Sequence, residues 1–427
     1  MRLPDGTPLD VQLEFDPEHI VEVGRLGIAE RQVIFEQRRA FVDSRLVLHP
    51  LFSPISEQVL YPKNPRFFDG LHGVFADSLP DAWGRELLRR RAQVEGFEYN
   101  TFTALDRLAL IGSHGPGALQ YRPTIAEPDA DDINLDILAE NALAILQGQE
   151  SDVLDSLVRL GGSSGGARPK ISVAIRDRDE MRPLSASLPN GFDAWIIKFR
   201  APNDPRDSGP LEAAYADMAR AAGLEVAETR LLLSQIGPGY FATRRFDRDS
   251  SRRLHMVSSS AALEIDWSLP GDYETLLKLT RRITRDQKGV EVVFRRGVFN
   301  FIAHNRDDHW KQHAYLMDRT GKWSVAPSFD LTFSPGPNGE HYLTLGGCSK
   351  EPETAAFVKA AESESIDSRR ARDIIEEVTT AVARFSDFAK HYDISNTTTR
   401  RITKAFALKS ALVASPKQRR LSPSQNA

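Results

Sequence analysis

Cysteine is almost missing from this chain: Cys348 stands alone among 427 residues. A lone thiol excludes an internal disulfide and fits a reducing compartment. Long apolar runs are missing too, and nothing approaches the ~18 uninterrupted apolar residues of a membrane span. The N-terminus, MRLPDGTPLDVQLEF, has no basic region followed by an apolar run. No secretory signal is therefore expected, and the expected location is cytoplasmic. Neither sign of charge dominates, and a formal net charge of −4 leaves no global footprint for nucleic acid or an anionic membrane. What remains is ordinary for a soluble globular protein, with 41% apolar and 27% charged residues, enough for a sizeable core. Length alone predicts about three domains at roughly 150 residues each.

Local patterning divides the chain further. Val11–Phe15, Ile20–Leu26 and Gln32–Gln37 read as strands between Asp, Gly and Pro turns. Trp83–Arg91 reads as a helix, and its terminal run of Arg89, Arg90 and Arg91 is either a solvated helix end or a nucleic-acid contact. A polar linker over 123–132 follows, then two helices, the second capped by Ser151 and ended by Gly161. Strands Ile171–Ile175 and Ala194–Phe199 precede a helix with Gly209 as its cap, Pro210 at its first position and Gly223 beyond its end. Leu211, Tyr215, Met218 and Ala222 mark the buried stripe of that helix. Strands Arg230–Ser234 and Tyr240–Arg244 complete a small sheet. From about residue 248 the periodicity is mainly helical, with Val290, Phe294, Val298 and Phe301 on one stripe. Ile374–Tyr392 and Thr397–Val413 supply later helices, and the polar tail from Pro416 is expected to be disordered. The domains implied are 1–122, 123–247, 248–415 and a tail, 416–427.

The densest chemistry lies in HNRDDHWKQHAYLMDRTGKWSVAPSFDL, residues His304 to Leu331. His313–Asp318 and Lys322–Pro327 read as one β-hairpin around Arg319–Thr320–Gly321, which brings Asp307 and Asp330 together at its open end. An acid after Arg306 and a second inside Phe329–Asp330–Leu331 match the layout of a kinase base and its metal ligand. Read otherwise, Asp307 and Asp308 form an Asx-bonded turn. Lys198 ends the apolar run Trp195–Ile196–Ile197, and a lysine on a buried strand requires an anionic partner, for which Glu212 on the next helix is the nearest candidate. Gly161–Gly162–Ser163–Ser164–Gly165–Gly166 is a loop rich in backbone donors that could cradle phosphates. It is not a G-x-x-x-x-G-K-[ST] loop, because Ala167 stands where the lysine belongs and a strand follows. His309 and His313, with His304 and Asp307, suggest a transition-metal hydrolase, but Trp310 occupies the glutamate position of H-E-x-x-H.

These segments together resemble the HipA-like serine/threonine kinase family of bacterial toxin–antitoxin systems. VGRL (Val23–Leu26), DSLPDAWGRELL (Asp77–Leu88) and GPGAL (Gly115–Leu119) resemble that family's N-terminal region. SSGGARPK (Ser163–Lys170), IIKF, RRFDR (Arg244–Arg248), NRDDHWKQH and APSFDL resemble its glycine loop, nucleotide and catalytic segments. The resemblance implies an α+β, bilobal protein-kinase-like fold with a mixed small lobe, a mainly helical large lobe and an extra β-rich N-terminal subdomain. It also implies ATP and Mg²⁺ as cofactors. Gly165, Gly166, Ala167 and Lys198 would meet the phosphates, and Arg244, Phe246 and Asp247 would border adenine and ribose. His309 would support the nucleotide site, Asp307 would be the base, and Asp330 with residue 312 would hold the metal. Ser163, or its neighbour Ser164, would be autophosphorylated, and the added charge would repel ATP. The implied partners are a protein substrate such as an aminoacyl-tRNA synthetase and a small helix-turn-helix antitoxin, with DNA met only through the antitoxin and no membrane.

One position departs from that pattern. Gln312 stands where the family pattern has a metal-binding asparagine, and the longer side chain moves the amide oxygen by about one C–C bond, ~1.5 Å. The alternative reading is therefore a degenerate kinase fold acting as a nucleotide- or partner-binding module.

Overall fold

The computed structural model describes residues 2–30, 32–51, 58–125, 133–162, 166–177, 180–185, 188–250 and 252–413, with side chains to 406. Ser163, Ser164 and Gly165 of the expected glycine loop lie outside the described residues, as do most of the expected linker and the tail from 416.

The N-terminal unit is built on strands β1 (Leu9–Asp16), β2 (His19–Ala29), β3 (Gln32–Gln37), β4 (Val59–Leu60) and β5 (Leu119–Arg122), in the spatial order β4-β3-β2-β1-β5. Strict alternation makes β1 a strand: Leu9, Val11, Leu13 and Phe15 all point into the core, while the residues between them are partly solvated. Helix α1 (Ala82–Val94) leaves this unit to pack elsewhere. Its Trp83, Leu87 and Leu88 join a core with Leu157, Ile171 and Ile197. Its arginines are spent nearby: Arg89 and Arg90 pair with Glu86, and Arg91 pairs with Glu95. Helix α2 (Ala104–Ile111) starts at a capping box formed by Thr103 and Asp106.

Helices α3 (Leu135–Leu146) and α4 (Leu154–Gly161) lead into a second antiparallel sheet. Its strands are β6 (Lys170–Arg176), β7 (Glu180–Pro183), β8 (Asp193–Lys198), β9 (Thr229–Leu232) and β10 (Tyr240–Arg244), ordered β7-β6-β8-β10-β9. Strand β8 is therefore central, which explains its nearly unbroken apolar run. Helix α5 (Ser208–Ala221) joins β8 to β9 and buries Leu211, Tyr215 and Met218. It begins two residues earlier than the Gly209 cap predicts; Gly209 lies inside it, where a Cβ would strike the carbonyl of Gly239 and glycine is therefore required. Ser151 likewise does not cap α4. Its hydroxyl accepts from Val153 N–H in a turn, and Val153 is the residue at the cap.

The large lobe is mainly helical. Helices α6 (Tyr273–Thr284) and α7 (Gln287–Ile302) pack together, and α8 (Thr354–Ser363), α9 (Ser368–Ala383), α10 (Phe385–His391) and α11 (Asn396–Val413) follow. The single helix expected over Ile374–Tyr392 is two, broken at Arg384 so that Phe385 can turn into the core against Tyr215 and Phe406. A three-stranded sheet crosses this lobe: β11 (His255–Ser258), β12 (Ala314–Met317) and β13 (Trp323–Val325). The β12–β13 pair is the expected hairpin, with Tyr315 opposite Val325 and Met317 opposite Trp323. The two lobes with the added β-rich unit form a bilobal, kinase-like α+β fold.

One buried ion cluster locks the N-terminal unit to the small lobe. Asp247, expected beside a nucleotide, is buried instead. Its carboxylate accepts from Arg245 Nε at 3.0 Å and Nη2 at 2.6 Å, and from the Gly117 N–H at 2.7 Å. Arg245 and Arg248 also donate to the Gly115 carbonyl. Burial pushes the Asp247 carboxyl up, but Arg245 and then Arg248 outweigh it and hold the group at about 2. A depressed carboxyl stabilises the fold above its unfolded value and loses that contribution as pH falls through the folded one. Urea unfolding of Asp247→Asn should show a loss of about 3 kcal/mol at neutral pH, because two guanidinium groups stay buried without their counter-charge. Wild type should lose stability between the ordinary value of 3.8 and about 2, whereas the variant's curve should be flatter over that interval.

Candidate active site

Lys198 is the last residue of β8, and its side chain is only 9% exposed. Its ammonium donates to Glu212 Oε2 on α5 at 2.5 Å and to Asp330 Oδ1 at 2.5 Å. Burial works to lower the pKa of this lysine, yet Asp330 and Glu212 more than compensate and hold it well above the ordinary range. Asp330 shows the reciprocal effect: burial works to raise it, while Lys198 first and Lys170 next pull it far below the usual carboxylate range. Asp330 also sits at φ 56°, in the left-handed region that Asp tolerates better than most residues.

The segment carrying Asp330 is fixed from behind by Arg296 of α7. This buried guanidinium donates to the Ala326 carbonyl at 2.7 Å and to Ser328 Oγ at 2.9 Å. Ser328 N–H in turn donates to the Glu225 carbonyl at 2.7 Å, and Ser328 bridges to Val226 beside β9.

Asp307 and Asp308 separate by facing opposite ways. Asp308 is fully buried and accepts from Tyr273 OH at 3.0 Å, Tyr342 N–H at 3.0 Å and His341 Nδ1 at 2.9 Å. Tyr273 OH accepts from Asn300, whose amide oxygen accepts from Asn305, so the anchor runs back into α7. Asp307 keeps 46% of its side chain exposed and lies 3.8 Å from His309 Nε2. Its surroundings raise its pKa through partial burial, with Asp330 adding to the rise and His309 opposing it. Asp330 and Asp307 thus act on each other electrostatically.

Gln312 reaches the same place, donating from Nε2 to Asp330 Oδ2 at 2.9 Å. His309 is held by the loop itself, since its Nδ1 accepts from Lys311 N–H at 3.2 Å while its ring lies 4.6 Å from that of Trp267. Phe246 packs on Phe329, the residue before Asp330, with ring centroids 5.5 Å apart. Arg244 is not part of this group: it pairs with Asp193 at 2.6 Å and with Asp249 at 3.3 Å. Gly166 is half-buried, Ala167 is exposed, and both follow directly on the undescribed stretch 163–165.

Two cations of the site were not singled out by sequence. Lys170 is buried, and burial followed by Lys198 depresses its pKa while Asp330 opposes. Arg168 forks onto Asp204 and also acts on Glu212, Asp330 and Asp307. Both belong to the SSGGARPK segment, and the visible signal was a basic residue on each side of Pro169. Together with Lys198 they make a cationic wall facing Asp330, which is the donor set a polyphosphate requires. Among the described residues, no group of three or more His, Cys, Asp or Glu side chains could hold a metal by itself. His304, His309 and His313 do not converge: His304 stacks on Phe333, and His313 is buried against Tyr273. That separation counts against the zinc-hydrolase reading. Hard oxygens from Asp330 and the Gln312 amide are instead of the kind that would suit Mg²⁺.

Comparison with known proteins covers most of the chain. The HipA N-terminal domain matches residues 19–122, and the HipA-like C-terminal domain matches residues 162–385. No curated protein matches. Among solved structures, the chain is similar to HipA in the Shewanella oneidensis MR-1 toxin–antitoxin complex of HipA, HipB and operator DNA. That match has a TM-score of 0.64 at 14% identity and covers 95% of this chain and 99% of that one; it establishes a shared fold. A partial match to the Helicobacter pylori proinflammatory kinase CtkA, with a TM-score of 0.32 at 14% identity over 49% of this chain and 92% of that one, carries no further argument.

The Lys198 cluster has a direct energetic consequence. Lys198→Met should lower the unfolding free energy by about 3 kcal/mol, because Glu212 stays buried without its counter-charge and Asp330 loses its hydrogen-bonded lysine. Adding Glu212→Gln to that variant should restore part of the loss in urea titrations, since the stranded charge is then removed.

Proposed function

The chain belongs to the HipA-like family, and we propose that it is an ATP- and Mg²⁺-dependent serine/threonine protein kinase acting as the toxin of a toxin–antitoxin pair. The observation that carries this reading is Lys198 held between Glu212 and Asp330 at 2.5 Å each. Such a lysine is fixed and permanently charged, ready to exchange part of its carboxylate contact for phosphate oxygens.

Lys198, Lys170 and Arg168 bind the triphosphate in this reading, with the Gly166–Ala167 backbone over it and Phe246 against the base. Asp330 and Gln312 hold Mg²⁺, which when bound neutralises charge on the phosphate oxygens. Asp307 orients the acceptor hydroxyl and takes its proton, and its raised pKa brings it nearer to the range useful for a base. His309 steadies that carboxylate. The acceptor is a serine or threonine of a translation factor such as an aminoacyl-tRNA synthetase. Ser163 or Ser164 is the autophosphorylation site. A small helix-turn-helix antitoxin is the partner, through which DNA is met, by analogy with the HipA–HipB–operator complex.

A second reading rests on Gln312. Lys198 and the Gln312 amide between them occupy both oxygens of Asp330, so Gln312 must turn its amide to offer oxygen to a cation. A chain unable to make that turn would bind nucleotide or a partner without transfer.

Intact-mass spectrometry after incubation with Mg-ATP separates the two. The kinase reading expects wild type to gain one phosphate mass, with Asp307→Ala slowed by about a hundredfold or more. Absence of any gain, with an ATP-dependent rise in melting temperature retained, would establish the binding module instead. If Gln312 merely misplaces the ion, Gln312→Asn should transfer phosphate faster by about tenfold or more.

A further inference from the structure

A carboxylate from the N-terminal unit reaches the site. Asp81 stands at the cap position of α1 but makes no side-chain bond to its own helix. Its Oδ2 accepts instead from the Gly166 N–H at 2.7 Å, and its Oδ1 accepts from the Lys311 ammonium at 2.8 Å. The next turn of chain reinforces the junction. Trp83 N–H donates to the Gly166 carbonyl at 3.3 Å, and the Trp83 indole donates to the Lys170 carbonyl at 3.0 Å. Three separate segments therefore meet at one carboxyl group: the start of α1, the end of the glycine loop, and the short turn Trp310–Gln312 that follows His309. Burial works to raise the Asp81 pKa, but the Lys311 charge and the hydrogen bonds it receives outweigh that and keep it lowered and ionised.

Forgoing a favourable N-cap to bind two distant groups marks the contact as specific. Gly166 sits at φ 87°, a left-handed conformation that favours glycine, with its own N–H on the Asp81 carboxylate. Lys311 lies one residue before Gln312, so the same carboxylate restrains the loop above the phosphates and the turn bearing a metal ligand.

We propose that Asp81 is a positioning residue for phosphotransfer, clamping the glycine loop to the Lys311–Gln312 turn so that the N-terminal unit controls the nucleotide site. The clamp is a structural statement. Its effect on transfer rests on the kinase reading above.

Full-length Asp81→Asn keeps the side-chain size while removing the charge. Hydrogen exchange of the 166–170 backbone, measured without nucleotide, should quicken by about tenfold. KM for ATP should rise by about tenfold while kcat falls less, with the melting temperature close to wild type. Lys311→Met should produce the same KM shift, and combining the two should add little, since both remove one contact. Unchanged exchange and unchanged KM in both variants would overturn the clamp while leaving the kinase reading intact. Quicker exchange in a chain whose wild type transfers no phosphate would support the clamp and sink the kinase reading. A lowered melting temperature with KM unmoved would reduce Asp81 to a purely structural role and overturn the positioning claim.

Discussion

The site depends on a single buried ammonium. Lys198 lies at the end of a central strand, where removing a charge from water costs several kcal/mol per ion unless close partners replace the solvent. Glu212 comes from the helix after that strand, and Asp330 comes from the far lobe more than a hundred residues on. Meeting the cost of one charge therefore fixes three elements relative to each other. It also sets the ionisation of the whole group: Asp330 stays a carboxylate because Lys198 and Lys170 face it, and Lys198 stays protonated because two carboxylates face it.

Around that centre, the buried groups that fix the loop positions are held by several hydrogen bonds each. Asp308 is inside because Tyr273, His341 and the Tyr342 backbone satisfy it. That anchoring leaves its neighbour Asp307 turned outward and about half exposed. Arg296 does the same for the segment ahead of Asp330 by donating to Ala326 and Ser328. These buried hydrogen bonds fix the backbone that carries Asp307 and Asp330. The same reasoning extends to the N-terminal unit, which is joined through the buried Arg245–Asp247 pair and touches the glycine loop through Asp81.

Much of this was readable residue by residue, and the exceptions have definite causes. The hairpin was legible because its two strands are separated by a short turn with Gly321 at its tip, so pairing is local. The expectation that Asp307 and Asp330 lie near one another followed from it. Lys198 was legible as a charge that needed a partner, and Glu212 lay within reach on the next helix. Asp247 and Arg244 were not, because their partners Gly117 and Asp193 come from other parts of the chain, and an acid beside arginines looks alike in a cleft and in a core. Strand β11 escaped notice since His255–Ser258 is too short to show a period and exists only by pairing with β12. The break at Arg384 escaped because helical periodicity continues across it; the demand of Phe385 for a place against Tyr215 ends the helix.

Sequence by itself determined most of the longer strands and helices, the hairpin after His313, and that a buried lysine must have an anionic neighbour. These follow from short-range rules: side-chain period, turn chemistry and the cost of an unpaired charge. Tertiary structure alone decided which acids face solvent and which are locked inside. It also decided that Lys170 and Arg168 lie near Lys198 and Asp330, and that Asp81 meets Gly166 and Lys311. Those outcomes depend on long-range contacts whose energies arise only once distant segments are packed together, so no local pattern could carry them.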